Sequence, residues 1–237
     1  YCLYPGHEIA RVTKGLPGSV FFSATLQPLP AMKQLLGGGE EDACFSLPSP
    51  FSSEHLAVIH RRVNTRYGCR EQSTAQVAQA IEELFTARPG RYIAYFPSYA
   101  YLRLVQPLLE HLSLIVQSQD MGESQRDAFL SAFTQDEAPK LGLCVLGGLF
   151  SEGIDLPGNQ LIGVAIVGVG LPTPTPRGEA LQQDYQRRFG DGFGYACRIP
   201  AMQKVLQAAG RVIRSETDRG MVLLLDERYA DPAYRRL

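Results

Sequence analysis

Short apolar runs alternate with amphipathic stretches along most of the chain. Continuous apolar runs bounded by turn residues read as buried strands, and apolar positions recurring every three to four residues read as helices. The first run, Ser19 to Ser23 (SVFFS), predicts a buried strand, and a helix is predicted near Ala31 to Leu36. Gly37, Gly38 and Gly39, then Glu40, Glu41, Asp42 and the SPSPFSS stretch, mark an exposed connection. Strands are predicted at Leu56 to His60, Tyr92 to Phe96, Leu114 to Gln117, Leu141 to Leu146, Leu161 to Val167 and Met221 to Leu225. Between them the pattern predicts helices from Ser73 as N-cap through Phe85, over Tyr99 to Leu112, Glu123 to Phe133, Gly178 to Phe189 and Ala201 to Arg214. This βα alternation predicts an α/β fold with a mostly parallel sheet covered by helices on both faces. LPTPTP (Leu171 to Pro176) and the glycine-rich RFGDGFGYA interrupt the rhythm and read as loops.

At 237 residues and 45% apolar content the chain can bury a full core, as one large domain or two small ones. With 20% charged residues, 23 glycines and 16 prolines, disorder, collagen and coiled coil are excluded. Basic and acidic residues balance at 23 and 24, so nucleic-acid binding must come from a local groove and not from bulk charge. Cys2, Cys44, Cys69, Cys144 and Cys197 form no CxxC pair, which reads as reduced thiols and a cytoplasmic setting. His7, His55, His60 and His111 show no ligand spacing, so no metal site is expected from this chain alone. The apolar stretch Leu161 to Leu171 is shorter than the roughly 20 residues of a spanning helix and is flanked by Pro157, Pro172, Pro174 and Pro176. It is expected to be a strand, with no membrane partner. The start at Tyr1, without a methionine or a basic leader, is read as the cut edge of a longer protein, with residues 1–18 as a lead-in segment.

Ligands of open parallel sheets sit beyond the carboxyl ends of the strands. SVFFSATL ends in Ser23 and Thr25, RYIAYFPSY in Ser98 and Tyr99, and LGLCVL runs into GGLFSEGIDLPG with Glu152 and Asp155. In MQKVLQAAGRVIR, at about 100° per residue, Gln207, Arg211 and Arg214 fall within roughly 60° of one another. Met202, Val205, Ala209, Val212 and Ile213 lie opposite, and Gly210 leaves room for a close backbone neighbour. An ordinary solvated helix face satisfies the same geometry. Glycines beside fixed carboxylates in GGLFSEGIDLPG suit ribose, phosphate or arginine partners, or simply a tight turn. YFPSY offers aromatic faces for bases and hydroxyls for phosphates, or a strand end whose Tyr and Phe are core. The basic cluster HRRVNTRYGCR, with His60, Arg61, Arg62, Arg66 and Arg70 around Tyr67, either binds phosphate or forms a charged edge.

Taken in order, SATL, YFPSY, FSEGIDLPG and QAAGRVIRS resemble motifs III to VI of the superfamily 2 helicases in the XPD/DinG group. The resemblance runs from about Ser19 to Tyr229 and implies a RecA-like fold, with residues 1–237 as the second of two motor domains. It implies ATP and magnesium shared with a first motor domain of the same parent chain, and single-stranded DNA as partner in a repair helicase. The phosphate loop, magnesium carboxylates and any iron–sulfur cluster would lie upstream, because no match to them occurs here. Carried over, Arg211 and Arg214 would supply arginine-finger charge, with Gln207 positioning them and Gly210 beside the nucleotide. Glu152, Gly153 and Asp155 would link nucleotide state to DNA grip. Tyr95, Phe96, Ser98, Tyr99 and Ser151 would contact the strand, with Thr25 in the coupling network. A nucleic-acid-binding or partner-docking module without ATP hydrolysis is the competing reading. A small-molecule enzyme on a doubly wound sheet is disfavoured by the absence of a GxGxxG turn after the first strand.

Overall fold

The computed structural model describes residues 2–135, 137–151 and 156–237. Among them the apolar runs become β1 (Leu56–Arg61), β2 (Arg91–Phe96), β3 (Leu114–Val116), β4 (Lys140–Val145), β5 (Gly163–Val167) and β6 (Gly220–Leu225). They pair in parallel throughout, in the order β1-β6-β5-β2-β4-β3. The chain divides into two compact units, one of Tyr1–Pro48, Leu171–Gln203 and Arg236–Leu237, the other of Ser49–Gly170 and Lys204–Arg235. The sheet lies wholly in the second.

Strand β2, inside the sheet, is buried at every position. Its Tyr92, Ala94 and Phe96 join Ile81 and Leu84 of α3 (Arg70–Ala87) and Tyr101 and Leu102 of α4 (Tyr99–Val105) in one core cluster. Ile93 faces the other way, where α5 (Glu123–Thr134) brings Phe129 and Phe133 over Gly142 of β4. Phe129 stacks on Phe133 at 5.5 Å and on Phe150 at 4.0 Å, and a Cβ on Gly142 would come 2.9 Å from the Phe133 ring. A strand covered on both faces must be apolar at consecutive positions, which is why these segments read as unbroken runs. No helix among the described residues is long and apolar enough to cross a membrane.

Several expectations are corrected. SVFFS forms no strand: Val20 and Phe22 are 84% and 91% exposed, and none of the sheet's strands runs beside them. An apolar run becomes a strand only when a neighbour pairs with its backbone. Ser73 does not cap α3, which begins at Arg70 after a 3₁₀ turn; its Oγ lies 2.9 Å from the Cys69 carbonyl and 2.7 Å from the Tyr101 hydroxyl. α4 stops at Val105 because Pro107 has no N–H to continue it, and a 3₁₀ turn follows over Gln106–Leu109. α7 (Ile199–Ala209) ends before Arg211, so the predicted Gln207–Arg211–Arg214 stripe is not a helix face. Gly210 is a poor helix former. Beyond it Arg211 and Val212 make tighter bonds back to the Ala208 and Ala209 carbonyls, at 3.3 and 3.2 Å.

The first unit is helical, built from α1 (Gly6–Thr13), α2 (Leu29–Leu35), α6 (Pro176–Phe189) and the beginning of α7. Thr175 caps α6 by accepting the Gly178 N–H at 3.0 Å, Pro176 starts it, and Gly190 with φ 77° ends it. The expected RFGDGFGYA loop is in part a π-helical turn over Gly194–Arg198 leading into α7. Segments remote in sequence meet here: Phe189 stacks on Tyr195 at 4.5 Å and meets Tyr4 edge-on at 5.6 Å. Tyr195 hydrogen-bonds Gln34, and Gln203 Nε2 donates to the Thr25 carbonyl at 3.3 Å. The C-terminal α8 (Pro232–Arg235) belongs to the second unit.

Removing the stacked ring of Phe129, which is 1% exposed, leaves a cavity that the neighbouring Phe133 and Phe150 rings cannot fill. Phe129→Ala is expected to lower the unfolding free energy by about 3–5 kcal/mol, and Leu104→Ala at an exposed site by less than about 0.5 kcal/mol, in urea titrations.

Candidate functional site

In a parallel sheet every strand ends on the same side, so the residues following β1 to β6 share one edge. Beyond β1, the Val63 carbonyl accepts the Glu227 N–H at 3.0 Å and the Thr65 hydroxyl donates to the Asp226 carboxylate. Beyond β2, Ser98 Oγ caps α4 by accepting the Tyr101 N–H at 3.3 Å and also accepts Arg70 Nη1 at 3.1 Å. After β3, the Gln117 N–H donates to the Leu143 carbonyl, and its Oε1 accepts the Val145 N–H, both at 2.9 Å. Gly147 follows β4 with φ +74°, a left-handed backbone that favours glycine, and a Cβ there would come 3.1 Å from the Lys204 side chain. After β5, the Gly168 carbonyl accepts the Tyr229 hydroxyl at 2.8 Å.

Asp226, at the end of β6, has no solvent exposure. Its carboxylate accepts Arg228 Nε at 2.8 Å on one oxygen and Nη2 at 2.7 Å on the other, along with the Arg228 N–H at 2.8 Å. A buried charge is tolerated when its partner is a matched fork and its remaining lone pairs are filled. Burial alone would lower the Arg228 guanidinium, but the hydrogen bonds and charge of Asp226 more than offset that and raise it. His60 Nε2 lies 2.8 Å from the Asp226 carbonyl oxygen, joining β1 to the same hub.

The residues expected from sequence fall into distinct places. Tyr95 and Phe96 are fully buried, so their side chains are not presented to a strand; the core alternative applies. The Tyr95 hydroxyl donates to the Phe150 carbonyl at 2.8 Å, and burial pushes it well above the ordinary range, with Cys144 adding to that and Arg211 opposing it. Ser151 is likewise buried, accepting the Gly147 N–H at 2.8 Å and so tying the turn after β4. Ser98 and Tyr99 are half-buried at the edge, the Tyr99 hydroxyl donating to the Ser118 carbonyl at 3.2 Å. Thr25 lies in the first unit, its N–H 3.2 Å from Ser23 Oγ. Gln207 and Arg211 are half-buried, while Gly210 and Arg214 are exposed. Glu152, Gly153 and Asp155 lie outside the described residues.

Arg214 sits on a turn closed by Asp218, whose carboxylate accepts the N–H groups of Arg214 at 2.7 Å and Ser215 at 2.8 Å and the Ser215 hydroxyl at 2.8 Å. Burial pushes that carboxyl up, but the three hydrogen bonds together outweigh it and hold Asp218 below the usual carboxylate range. Sequence reasoning did not single out Asp226, Arg228, Thr65, Gln117 or Asp218. The one usable signal was Asp226 and Arg228 two positions apart at a strand end. Among the described residues no group of three or more His, Cys, Asp or Glu side chains is placed to hold a metal ion.

The helicase C-terminal domain family matches residues 81–237. An ATP-dependent helicase DinG of Mycobacterium tuberculosis is 32% identical over 190 residues, covering 78% of this chain and 28% of the relative. The ATP-dependent DNA helicase YoaA of Escherichia coli is 29% identical over 217 residues, covering 90% of this chain and 33% of the relative. The chain thus spans a third or less of these curated relatives. A solved XPD helicase superposes over 99% of this chain and 43% of its own, with TM-score 0.75 and 21% identity, which establishes the RecA-like fold.

Because the folded-state carboxyl of Asp218 is held low, its contribution to stability is complete above the unfolded value near 3.9 and is lost as pH falls through the folded value. The stability difference between the native chain and Asp218→Asn is therefore expected to be constant from neutral pH down to about pH 5 and to shrink below about pH 4. Denaturant titrations at stepped pH measure it, and a difference that persists unchanged in acid contradicts the assignment.

Proposed function

The chain belongs to the helicase C-terminal domain family, and from that membership we propose that residues 1–237 form the second RecA-like motor domain of a cytoplasmic ATP-dependent DNA helicase acting in DNA repair. The observation that carries this reading is the family match over residues 81–237, which takes in β2 through β6 and the Gln207–Arg214 segment. In a two-domain motor the nucleotide lies between the domains, so the second must send charge to phosphates held by the first. Arg211 and Arg214 take that role, and Gln207 positions them. The end of α7 at Ala209 supports this reading, since both arginines lie beyond the helix, Arg211 on the turn that bonds back to Ala208 and Arg214 where Asp218 holds its N–H. Gly210 keeps that turn free of a side chain beside the nucleotide.

Glu152, Gly153 and Asp155 are assigned the link between nucleotide state and DNA grip. Ser98 and Tyr99 are the strand contacts, with Thr25 as a coupling residue. Tyr95, Phe96 and Ser151 support that edge from the core. ATP and magnesium are shared with a first motor domain of the same parent, the partner this reading requires. Exposed Val20, Phe22, Phe45 and Leu47 of the first unit support such a partner, because covering side chains of that size is favourable.

The isolated chain is expected to fold and to hydrolyse no ATP in a phosphate-release assay; robust turnover without added protein excludes the half-motor reading. In the parent protein, Arg211→Ala is expected to lower DNA-stimulated turnover by about 10³, the lower end for an arginine finger, with nucleotide affinity largely kept. Arg211→Lys is expected to rescue poorly, since a point charge does not reproduce a planar fork. A solvated side chain predicts less than about a twofold change, and near-normal turnover in Arg211→Ala, measured beside fluorescent-nucleotide affinity, would falsify the assignment. A parent with no ATPase activity at all favours the docking-module alternative.

A further inference from the structure

In the buried carboxyl half of β2, formed by Ala94, Tyr95 and Phe96, one side-chain atom is polar: the Tyr95 hydroxyl oxygen. Tyr95 has no solvent exposure, so a phenylalanine would pack the same ring without desolvating an oxygen. The hydroxyl donates to the Phe150 carbonyl at 2.8 Å. Phe150 is itself fixed, fully buried and with its ring stacked on Phe129 at 4.0 Å. Next in the chain is Ser151, the last described residue before the segment of Glu152, Gly153 and Asp155.

The turn that delivers this carbonyl is braced from several sides. Ser151 Oγ accepts the Gly147 N–H at 2.8 Å and donates to the Val145 carbonyl at 3.2 Å, and the Gly148 N–H donates to that same carbonyl at 3.0 Å. Gln117 Oε1 holds the Val145 N–H, and a Cβ on Gly148 would come 3.1 Å from Gln117 Nε2. Helix α7 bears on this turn. The Lys204 side chain runs along Gly147, with its Cδ and Cε 3.1 and 3.3 Å from where a Cβ would stand. Past the end of the same helix, the Arg211 N–H bonds back to the Ala208 carbonyl. Burial raises the Tyr95 hydroxyl well above its ordinary range, Cys144 adds to that, and the Arg211 charge opposes both, so the guanidinium lies within electrostatic reach of the hydroxyl oxygen. All of these residues belong to the second unit.

We propose that Tyr95 is a positioning residue of the motor: its hydroxyl fixes the Phe150 carbonyl, and so the lead into the segment of Glu152, Gly153 and Asp155, against the seat of Arg211. The proposal rests on the helicase reading, in which Arg211 meets nucleotide and that segment answers to DNA. With the hydroxyl in place, a shift of Arg211 and the end of α7 presses on a braced turn and is passed along the chain. Without it the Phe150 carbonyl loses that donor, and the turn yields instead of transmitting. The hydroxyl and not the ring carries this role, because the packing of the ring survives Tyr95→Phe.

Steady-state ATP hydrolysis by the parent protein, with and without saturating single-stranded DNA, tests the role in Tyr95→Phe. The ratio of the two rates is expected to fall by about three- to thirtyfold. Turnover without DNA and fluorescent-nucleotide affinity are expected to stay within about twofold. Tyr92→Phe is the matched control, removing from the same strand a hydroxyl that donates to the Arg88 carbonyl at 2.7 Å at the opposite end. Its ratio is expected to stay within about twofold of the native value. Lys204→Ala, which removes the contact of α7 with the turn, is expected to lower the ratio in the same direction and carries the test if unfolding midpoints show Tyr95→Phe to be unfolded. An unchanged ratio in Tyr95→Phe overturns the proposal and leaves the helicase reading standing. An equal fall of both rates, the mark of a purely structural role, overturns it as well, as does an equal loss of the ratio in Tyr92→Phe. A parent that hydrolyses no ATP with or without DNA removes the helicase reading itself, and the proposal with it.

Discussion

A carboxylate with no access to water organises the carboxyl edge of the sheet. Asp226 ends β6, yet its oxygens and carbonyl reach Thr65 and His60 on the β1 side and the fork of Arg228. Its desolvation is costly and is offset only if all these partners arrive together. The edge strand, the β6 turn and the Arg228 guanidinium are thereby held in one arrangement. The Tyr229 hydroxyl, bonded to the Gly168 carbonyl, extends the same tie to the end of β5. Polar groups at this edge are thus positioned by a network with almost no slack, a condition for recognising a ligand without reorganising.

The parallel sheet was legible because burial on both faces writes itself as consecutive apolar residues, and β2, RYIAYF, is the clearest instance. Helix boundaries were less so. Ser73 looks like a cap by residue type, but its hydroxyl is claimed by Tyr101, 28 positions away, and no local pattern announces that. The end of α7 turns on Gly210 and on Asp218, a carboxylate reaching back to two backbone N–H groups. The SVFFS run was misread for a different reason: its apolar character is real, but strand formation belongs to the pair and not to the segment.

For the site, residue type and position separated. Tyr95 and Phe96 carry the chemistry of base stacking but sit inside the sheet, while Tyr67, in a segment with no apolar periodicity, holds the open ring. Strand ends show where ligands gather, and the alternation of faces decides which side chain arrives there. Overall charge was uninformative in the same sense. A chain balanced at −1 still gathers Arg62, Arg66 and Arg228 around one cavity, with Glu227 and Asp231 on the same wall.

The first unit is assembled from segments that the chain delivers far apart in time. Its internal ties link Gln34 with Tyr195 and Thr25 with Gln203, separations of 161 and 178 residues. During synthesis at about 5–20 residues per second, residues 1–48 must therefore wait many seconds, through the whole emergence of β1 to β5, before their partners leave the ribosome. In that interval Tyr4, Thr25 and Gln34 lack Phe189, Gln203 and Tyr195, the partners they meet in the folded unit. Contacts of such long range are slow to form and leave apolar surface open meanwhile. The same delay reaches into the sheet: β2 to β5 are all present by residue 170, whereas β1 has β6 as its one sheet neighbour and stays unpaired until Gly220–Leu225 follows.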